Sequence, residues 1–333
     1  MKLGLETESM HLWFQNNKMD IFSYIDFAKN LGFDGIVINI IKDYGLDENW
    51  GTLQTNDISH LKKIKKKLDE YNMYCEIDAK GFEVNKFKQI CEVAKVLDVN
   101  IVRSYFPITK KLQNIAKGSE GAYDDSKITA DFNKDEFLNS SNEIKKLIPM
   151  LKENGITLAI ENHEYQTSKE LVELINLVND ENVKLLFDFG NSMMAYEEPL
   201  EACLNMAPYV VSTHCKDHIV FKEDDIEYVC GVPIGEGNID IKSCIKILKQ
   251  HGLKHLNIEQ CYPYCSTFKR DLGTGGVNSL DNGAFKIEQP LFDGLKAMQY
   301  YYPHEVSNDW LNKLLELQKI GVIKSLNHLK TLL

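Results

Sequence analysis

Ile156-Thr157-Leu158-Ala159-Ile160-Glu161 is a short apolar run, broken only by a threonine, that stops at a carboxylate. The same form returns downstream in Leu185-Leu186-Phe187-Asp188 and Leu256-Asn257-Ile258-Glu259, and Val211-Ser212-Thr213-His214 ends likewise in a histidine. Runs without polar alternation suit strands covered on both faces, as in parallel sheets. Outward from these four, apolar runs span Lys2 to Glu8, Gly35 to Ile40, Met73 to Ala79, Asn100 to Tyr105, Ile156 to Glu161, Val183 to Phe189, Tyr209 to His214 and Leu256 to Cys261.

Between the runs the apolar spacing is helical, as at Leu61, Ile64 and Leu68, at Leu171, Leu174, Ile175 and Val178, and at Ile241, Cys244, Ile245 and Leu248. Asp57, Ser168 and Asp240 are polar residues suited to helix starts. Eight strand and helix pairs at intervals of about thirty residues predict an α/β (β/α)8 TIM barrel. The barrel is expected to occupy residues 1–305, and a C-terminal helical extension, 306–333, to pack on its outside. A doubly wound open sheet competes, but no G-x-G-x-x-G turn follows the first run, so no nucleotide cofactor is expected. Gly273-Thr274-Gly275-Gly276 follows the eighth run instead and reads as a surface loop. Residues 107–131, a long loop after strand four, fall on the catalytic face of such a barrel and read as a candidate lid.

With 333 residues, 44% hydrophobic and 26% charged, the chain can bury one large core. Thirty-eight basic against 49 acidic residues, a net charge of -11, repel phosphate backbones and anionic membranes, so neither nucleic acid nor membrane is an expected partner. The amino terminus lacks an apolar signal region and no run of ~18 apolar residues occurs, so a cytoplasmic location is expected. None of the eight cysteines has the two-residue gap of a zinc or redox motif, and they read as reduced core thiols.

The carboxyl ends of barrel strands converge on one mouth, which brings Glu161, Asp188, His214 and Glu259 together. Three carboxylates and an imidazole at such a place are costly unless paired or bound to a cation. Three oxygen donors and one nitrogen suit Mn²⁺, Mg²⁺, Co²⁺ or Zn²⁺, and the lack of a thiolate argues against structural zinc. His163, two residues past Glu161, shares its direction if the strand continues, and fits a base, a substrate contact or a structural histidine. Lys216 shares parity with His214 and suits a substrate oxygen, with Asp217 and His218 in the loop beyond. Arg103 suits an anionic or hydroxylated group, or equally a core ion pair. Tyr262, Tyr264 and the run Tyr300-Tyr301-Tyr302 offer aromatic walls to a sugar, or simply packing.

Ile160-Glu161-Asn162-His163, Phe187-Asp188-Phe189-Gly190-Asn191, His214-Cys215-Lys216-Asp217, Gly235-Glu236-Gly237-Asn238-Ile239-Asp240 and Ile258-Glu259 resemble the xylose-isomerase-like family of sugar isomerases and epimerases, most strongly over 156–261. The resemblance implies that Glu161, Asp188, His214 and Glu259 bind one divalent metal, Mn²⁺ before Mg²⁺, Co²⁺ or Zn²⁺. It implies also that the two glutamates shuttle a proton beside the substrate carbonyl. His163 is a further candidate catalytic group, and Lys216, Arg103 and Asp217 are candidates for substrate contact. The chain also resembles the catalytic subunits of bacterial C-glycoside-cleaving enzymes, which act on 3-keto-glycosides by the same proton abstraction; residues 262–304 would then shape an aglycone pocket. Asn191 stands where the endonuclease branch carries a histidine, and with the acidic charge this disfavours an apurinic-site endonuclease. The expected partner is an unphosphorylated sugar or glycoside, with a homo-oligomer or a small partner subunit left open.

Overall fold

The computed structural model describes residues 1–39, 58–106, 133–292 and 307–333. The candidate lid at 107–131, Asp57, Ile40 and Tyr300-Tyr301-Tyr302 lie outside the described residues, as does the end of the 262–304 segment. The apolar runs form the strands β1 (Lys2–Glu6), β2 (Gly35–Asn39), β3 (Tyr74–Asp78), β4 (Ile101–Ser104), β5 (Thr157–Glu161), β6 (Val183–Asp188), β7 (Val210–His214) and, after a hairpin β8 (Asp217–Glu223) and β9 (Ile226–Val232), β10 (His255–Ile258). The eight barrel strands pair in parallel in the order β10-β1-β2-β3-β4-β5-β6-β7. Cys215 joins the two ends of the sheet: its N–H donates to Asn257 O at 2.7 Å and its carbonyl accepts Glu259 N–H at 3.1 Å.

Amphipathic helices ring the barrel: α1 (His11–Gln15), α2 (Ile21–Leu31), α3 (Ile58–Tyr71), α4 (Val84–Leu97), α5 (Lys134–Asn139), α6 (Ser141–Asn154), α7 (Ser168–Val178), α8 (Pro199–Met206), α9 (Ile241–Gln250) and α10 (Asn308–Leu332). Their buried stripes match the predicted spacing, as at Leu61, Ile64 and Leu68 in α3. Thr167, one residue before Ser168, caps α7 through a reciprocal box with Glu170. Asp240 caps α9 by accepting Ser243 N–H at 3.0 Å. In α10 the buried face carries Leu314, Leu315, Val322, Leu326 and Leu329. This helix follows the last barrel strand and packs against β10 and the segment after β1. It meets α1, where Trp13 Nε1–H donates to Leu315 O at 2.8 Å and Leu12 N–H to Gln318 Oε1 at 3.2 Å.

The segment after His214 is a hairpin rather than the loop expected at Asp217 and His218. Strand β8 pairs antiparallel with β9 around Asp224-Asp225, and β11 (Cys265–Thr267) and β12 (Ile287–Glu288) complete a small sheet in the order β11-β9-β8-β12. Ile219, Phe221, Tyr228, Cys230, Val232 and Cys265 form its own core. The cause is local: β-branched and aromatic residues on both sides of an Asp-Asp turn favour a hairpin.

Inside the barrel the side chains stack in layers, as alternate residues of each strand point inward. Glu76, Ser212 and Asn257 stand two residues before Asp78, His214 and Glu259 and form a polar floor. Glu76 accepts from Ser212 Oγ at 2.5 Å and Asn257 Nδ2 at 3.0 Å, and its other oxygen pairs with His255 Nε2. No described helix is long and apolar enough to cross a membrane.

Candidate active site

Above that floor, four strand ends place Glu161, Asp188, His214 and Glu259 so that one donor atom from each lies within 4.8 Å of the others. Glu161, Asp188 and His214 are fully buried, and Glu259 is 6% exposed. His214 presents Nδ1 to the cluster, 3.1 Å from Glu161 Oε1, 3.4 Å from Glu259 Oε2 and 4.0 Å from Asp188 Oδ2. Its Nε2 faces Asp78 Oδ2 at 3.2 Å. A carboxylate behind a histidine in this way fixes the ring and raises its donor strength toward a cation.

Asp188 is held by its own chain. Its Oδ1 accepts the N–H groups of Gly190 and Asn191 at 2.8 Å each, and its backbone exchanges hydrogen bonds with the Asn162 side chain at 2.8 and 2.9 Å. Its Oδ2 is left toward the cluster without a hydrogen bond of good geometry, as is Glu259 Oε2. Lys216 Nζ is their near neighbour, 2.7 Å from Asp188 Oδ2 and ion-paired with Glu259 Oε2.

Arg103 takes the core ion pair, the second of its two sequence-based readings. Its Nε donates to Glu161 Oε2 at 2.7 Å, Nη2 pairs with the same oxygen, and Nη1 lies 3.7 Å from Asp78. Its guanidinium also lies over the Tyr105 ring, 4.4 Å from the centroid. The Tyr105 ring also stacks with His163, centroids 3.9 Å apart and planes 14° from parallel. Asp217 is likewise committed to the protein: its carboxylate accepts the N–H groups of His218, Gly235, Gly237 and Ile239 at 2.9 to 3.2 Å and organises the 235–239 turn. In the structure Arg103 braces the cluster and Asp217 braces a neighbouring loop.

The electrostatics follow from burial and crowding. Burial would lift Glu161 and Glu259, but the cations beside them, Arg103 and Lys216 respectively with His214, outweigh it and hold both well below the usual carboxylate range. Burial, reinforced by Glu259 and Glu161, pushes Asp188 up to about 8 against the pull of Lys216. Burial opposes protonation of His214, yet the carboxylates of Asp78, Glu259 and Glu161 raise it well above its ordinary value. Burial lowers His163 and His218 to about 3, so both are neutral.

Two acids of β1 and its following turn, Glu6 and Glu8, and Asp78 of β3 complete the wall and were not anticipated. Burial raises Glu6, and lifts Glu8 to about 7. Their signal was present: Leu5-Glu6 and Ile77-Asp78 are apolar runs stopping at acids, but extending those strands to Glu8 and Ala79 hid the stops. Six carboxyl groups thus crowd around Arg103, Lys216 and the His214 imidazole. That excess, two donor oxygens without hydrogen bonds and a donor set of three carboxylates with one imidazole together fit a divalent cation with ligand distances of about 2.0–2.3 Å.

Gly190 sets the approach of the next shell. A Cβ there would overlap His218 Nδ1 and meet Lys216 Cγ at 3.0 Å.

A family model described as xylose isomerase-like TIM barrel matches residues 25–273. YihM of Escherichia coli K12 is 39% identical over 83 residues, covering 25% of this chain and 26% of that protein. An inosose dehydratase of Clostridium botulinum is 27% identical over 134 residues, covering 36% of this chain and 45% of that one. The matches thus span between a quarter and a half of the length of these curated relatives. The solved structure of the IolI protein with a bound zinc atom superposes with a TM-score of 0.62 at 16% identity, covering 98% of this chain and 99% of that one. At that identity the likeness is one of fold.

Proposed function

Because the chain belongs to the xylose isomerase-like TIM-barrel family, we propose that it is a divalent-metal-dependent enzyme that moves a proton beside the carbonyl of an unphosphorylated sugar or related polyol ketone, as an isomerase or epimerase. One observation carries this reading: four buried donor atoms within 4.8 Å of one another, beside the Lys216 ammonium and the neutral His163.

Glu161, Asp188, His214 and Glu259 would hold the ion, with Mn²⁺ proposed first and Mg²⁺, Co²⁺ or Zn²⁺ as alternatives; the zinc of the IolI structure keeps that metal in view. The cation supplies positive charge against the oxyanion that develops as the proton leaves. Glu259 and Glu161, each held ionised by the cation paired with it, Lys216 and Arg103 respectively, would take and return the proton. His163 presents a neutral imidazole to the neighbouring hydroxyl, its ring angle set by Tyr105. Lys216 donates from its ammonium to a substrate oxygen. Asp78 keeps His214 oriented from behind.

A second reading, elimination of water after the same abstraction, is favoured by the relatives named inosose dehydratase. The test is solvent-deuterium incorporation with the Mn²⁺-loaded protein over a panel of ketoses, aldoses, inososes and 3-keto-glycosides, read by mass spectrometry. Deuterium at the carbon beside the carbonyl in a sugar product supports the isomerase or epimerase; loss of water supports the dehydratase. Release of an aglycone supports carbon–carbon cleavage. A metal-loaded protein that exchanges no proton with any of them refutes the proposal.

A further inference from the structure

The small sheet beside the barrel holds a pair of thiols that the metal chemistry does not use. Cys230 of β9 and Cys265 of β11 stand directly opposite each other in antiparallel register. They are 35 residues apart in sequence, and their Sγ atoms lie 2.6 Å apart. Both are buried, at 0% and 2% exposure.

The ladder explains the approach. In antiparallel strands, opposed residues alternate between pairs that exchange backbone hydrogen bonds and pairs that do not, and the latter bring side chains closest, with Cα atoms about 4.5 Å apart. Gly231 N–H donates to Tyr264 O at 2.7 Å, so the Gly231 and Tyr264 position is the hydrogen-bonded one and the next, Cys230 and Cys265, is not. A Cα separation of about 4.5 Å lies inside the disulfide range of about 4.4–6.8 Å. Closing the bond needs the sulfurs to move together by only about half an ångström, to about 2.05 Å.

We propose that Cys230 and Cys265 form a reversible cross-strand disulfide, a thiol-modification site outside the metal cluster. The oxidant is a small disulfide such as glutathione disulfide. One cysteine thiolate attacks a glutathione sulfur, making a mixed disulfide and expelling one glutathione thiolate. The second cysteine thiolate then displaces the remaining glutathione, and the Cys230–Cys265 bond forms. Two electrons pass from the pair to glutathione disulfide, and the two thiol protons end on the two glutathiones released. Burial holds the Cys265 thiol well above its ordinary range, so exchange waits on opening of β11, a three-residue strand at the edge of the sheet. The bond would pin that strand to the hairpin and, with it, the short segment Gln260 to Tyr264 that leads from Glu259.

The full chain is incubated in glutathione buffers of rising oxidised fraction, alkylated and digested without reduction. One linked peptide pair joining Cys230 to Cys265, two hydrogens lighter than its parts and released by dithiothreitol, is expected. The Tm of the oxidised chain should rise by about 5 °C, from the lost freedom of a loop of this size in a chain of this length. Cys265→Ser should abolish both signals, whereas Cys75→Ser should leave them unchanged. A parallel sample, unfolded in urea and refolded in the same buffers, removes the barrier of burial. If both cysteines are alkylated as thiols there as well, or if they link to other partners, the proposal is overturned.

Discussion

Replacing Arg103 by methionine keeps much of the side-chain volume and removes the charge, which separates a brace from a substrate contact. Arg103 is 4% exposed and Glu161 0%, so solvent screens their pair little. Removing one partner of a buried ion pair costs about 3–5 kcal/mol, because the carboxylate left behind is uncompensated. At about 2.1 cal/mol/K per residue, 333 residues give an unfolding entropy of about 0.7 kcal/mol/K, so the Tm should fall by about 4–7 °C. Without Arg103, burial is free to lift the Glu161 carboxyl, and the metal content of the folded variant should fall as well. Circular-dichroism melting of chelator-treated protein gives the first quantity, and elemental analysis after Mn²⁺ loading gives the second. A Tm within about 1 °C of the parent, full metal content and a raised KM alone would refute the brace and restore the substrate contact.

Glu259→Gln should lower metal content and turnover together; full activity with an unchanged metal load would remove Glu259 from the ligand set. His163→Ala should keep its metal while proton exchange into solvent slows by about 10²-fold or more, and undiminished exchange would exclude the imidazole from the proton path. Gly190→Ala should fold yet lose about tenfold or more in kcat, since the new methyl displaces His218 and presses on Lys216; unchanged kinetics would show that neither side chain needs its place. On the floor of the barrel, burial pulls the His255 imidazole down, but its bond to Glu76 outweighs this and leaves the pKa raised. The stabilisation it contributes is therefore complete below the unfolded-state value of about 6.5 and is lost as pH rises through the folded-state value. His255→Gln should flatten the Tm over that rise, and an unchanged profile would dismiss the linkage.

The barrel was legible because each strand is a short apolar run and each helix carries a stripe at 3.6-residue spacing; both periods are properties of local sequence. The four-residue cluster was legible for a related reason, since a charged residue that ends a buried apolar run is costly unless the fold gives it a partner or a cation. What escaped depends on neighbours distant in sequence. Arg103 fits a substrate or a salt bridge equally well until Glu161 is seen against its guanidinium. Asp217 shares a segment with Lys216, yet the turn at 235–239 claims its carboxylate. The hairpin of β8 and β9 carries its own signal in Ile219-Val220-Phe221 and Tyr228-Val229-Cys230, which a search for eight barrel strands passes over.

The engagement of α10 with α1 has a consequence for the order in which the protein is made. Leu12 and Trp13 precede the residues of α10 that bond to them, Gln318 and Leu315, by 306 and 302 positions, and so are synthesised well before that cover exists. At about 5–20 residues per second, that interval is some fifteen seconds or more, during which this apolar surface lacks its partner. Cutting the chain before Leu314 would leave Leu12 and Trp13 without that cover.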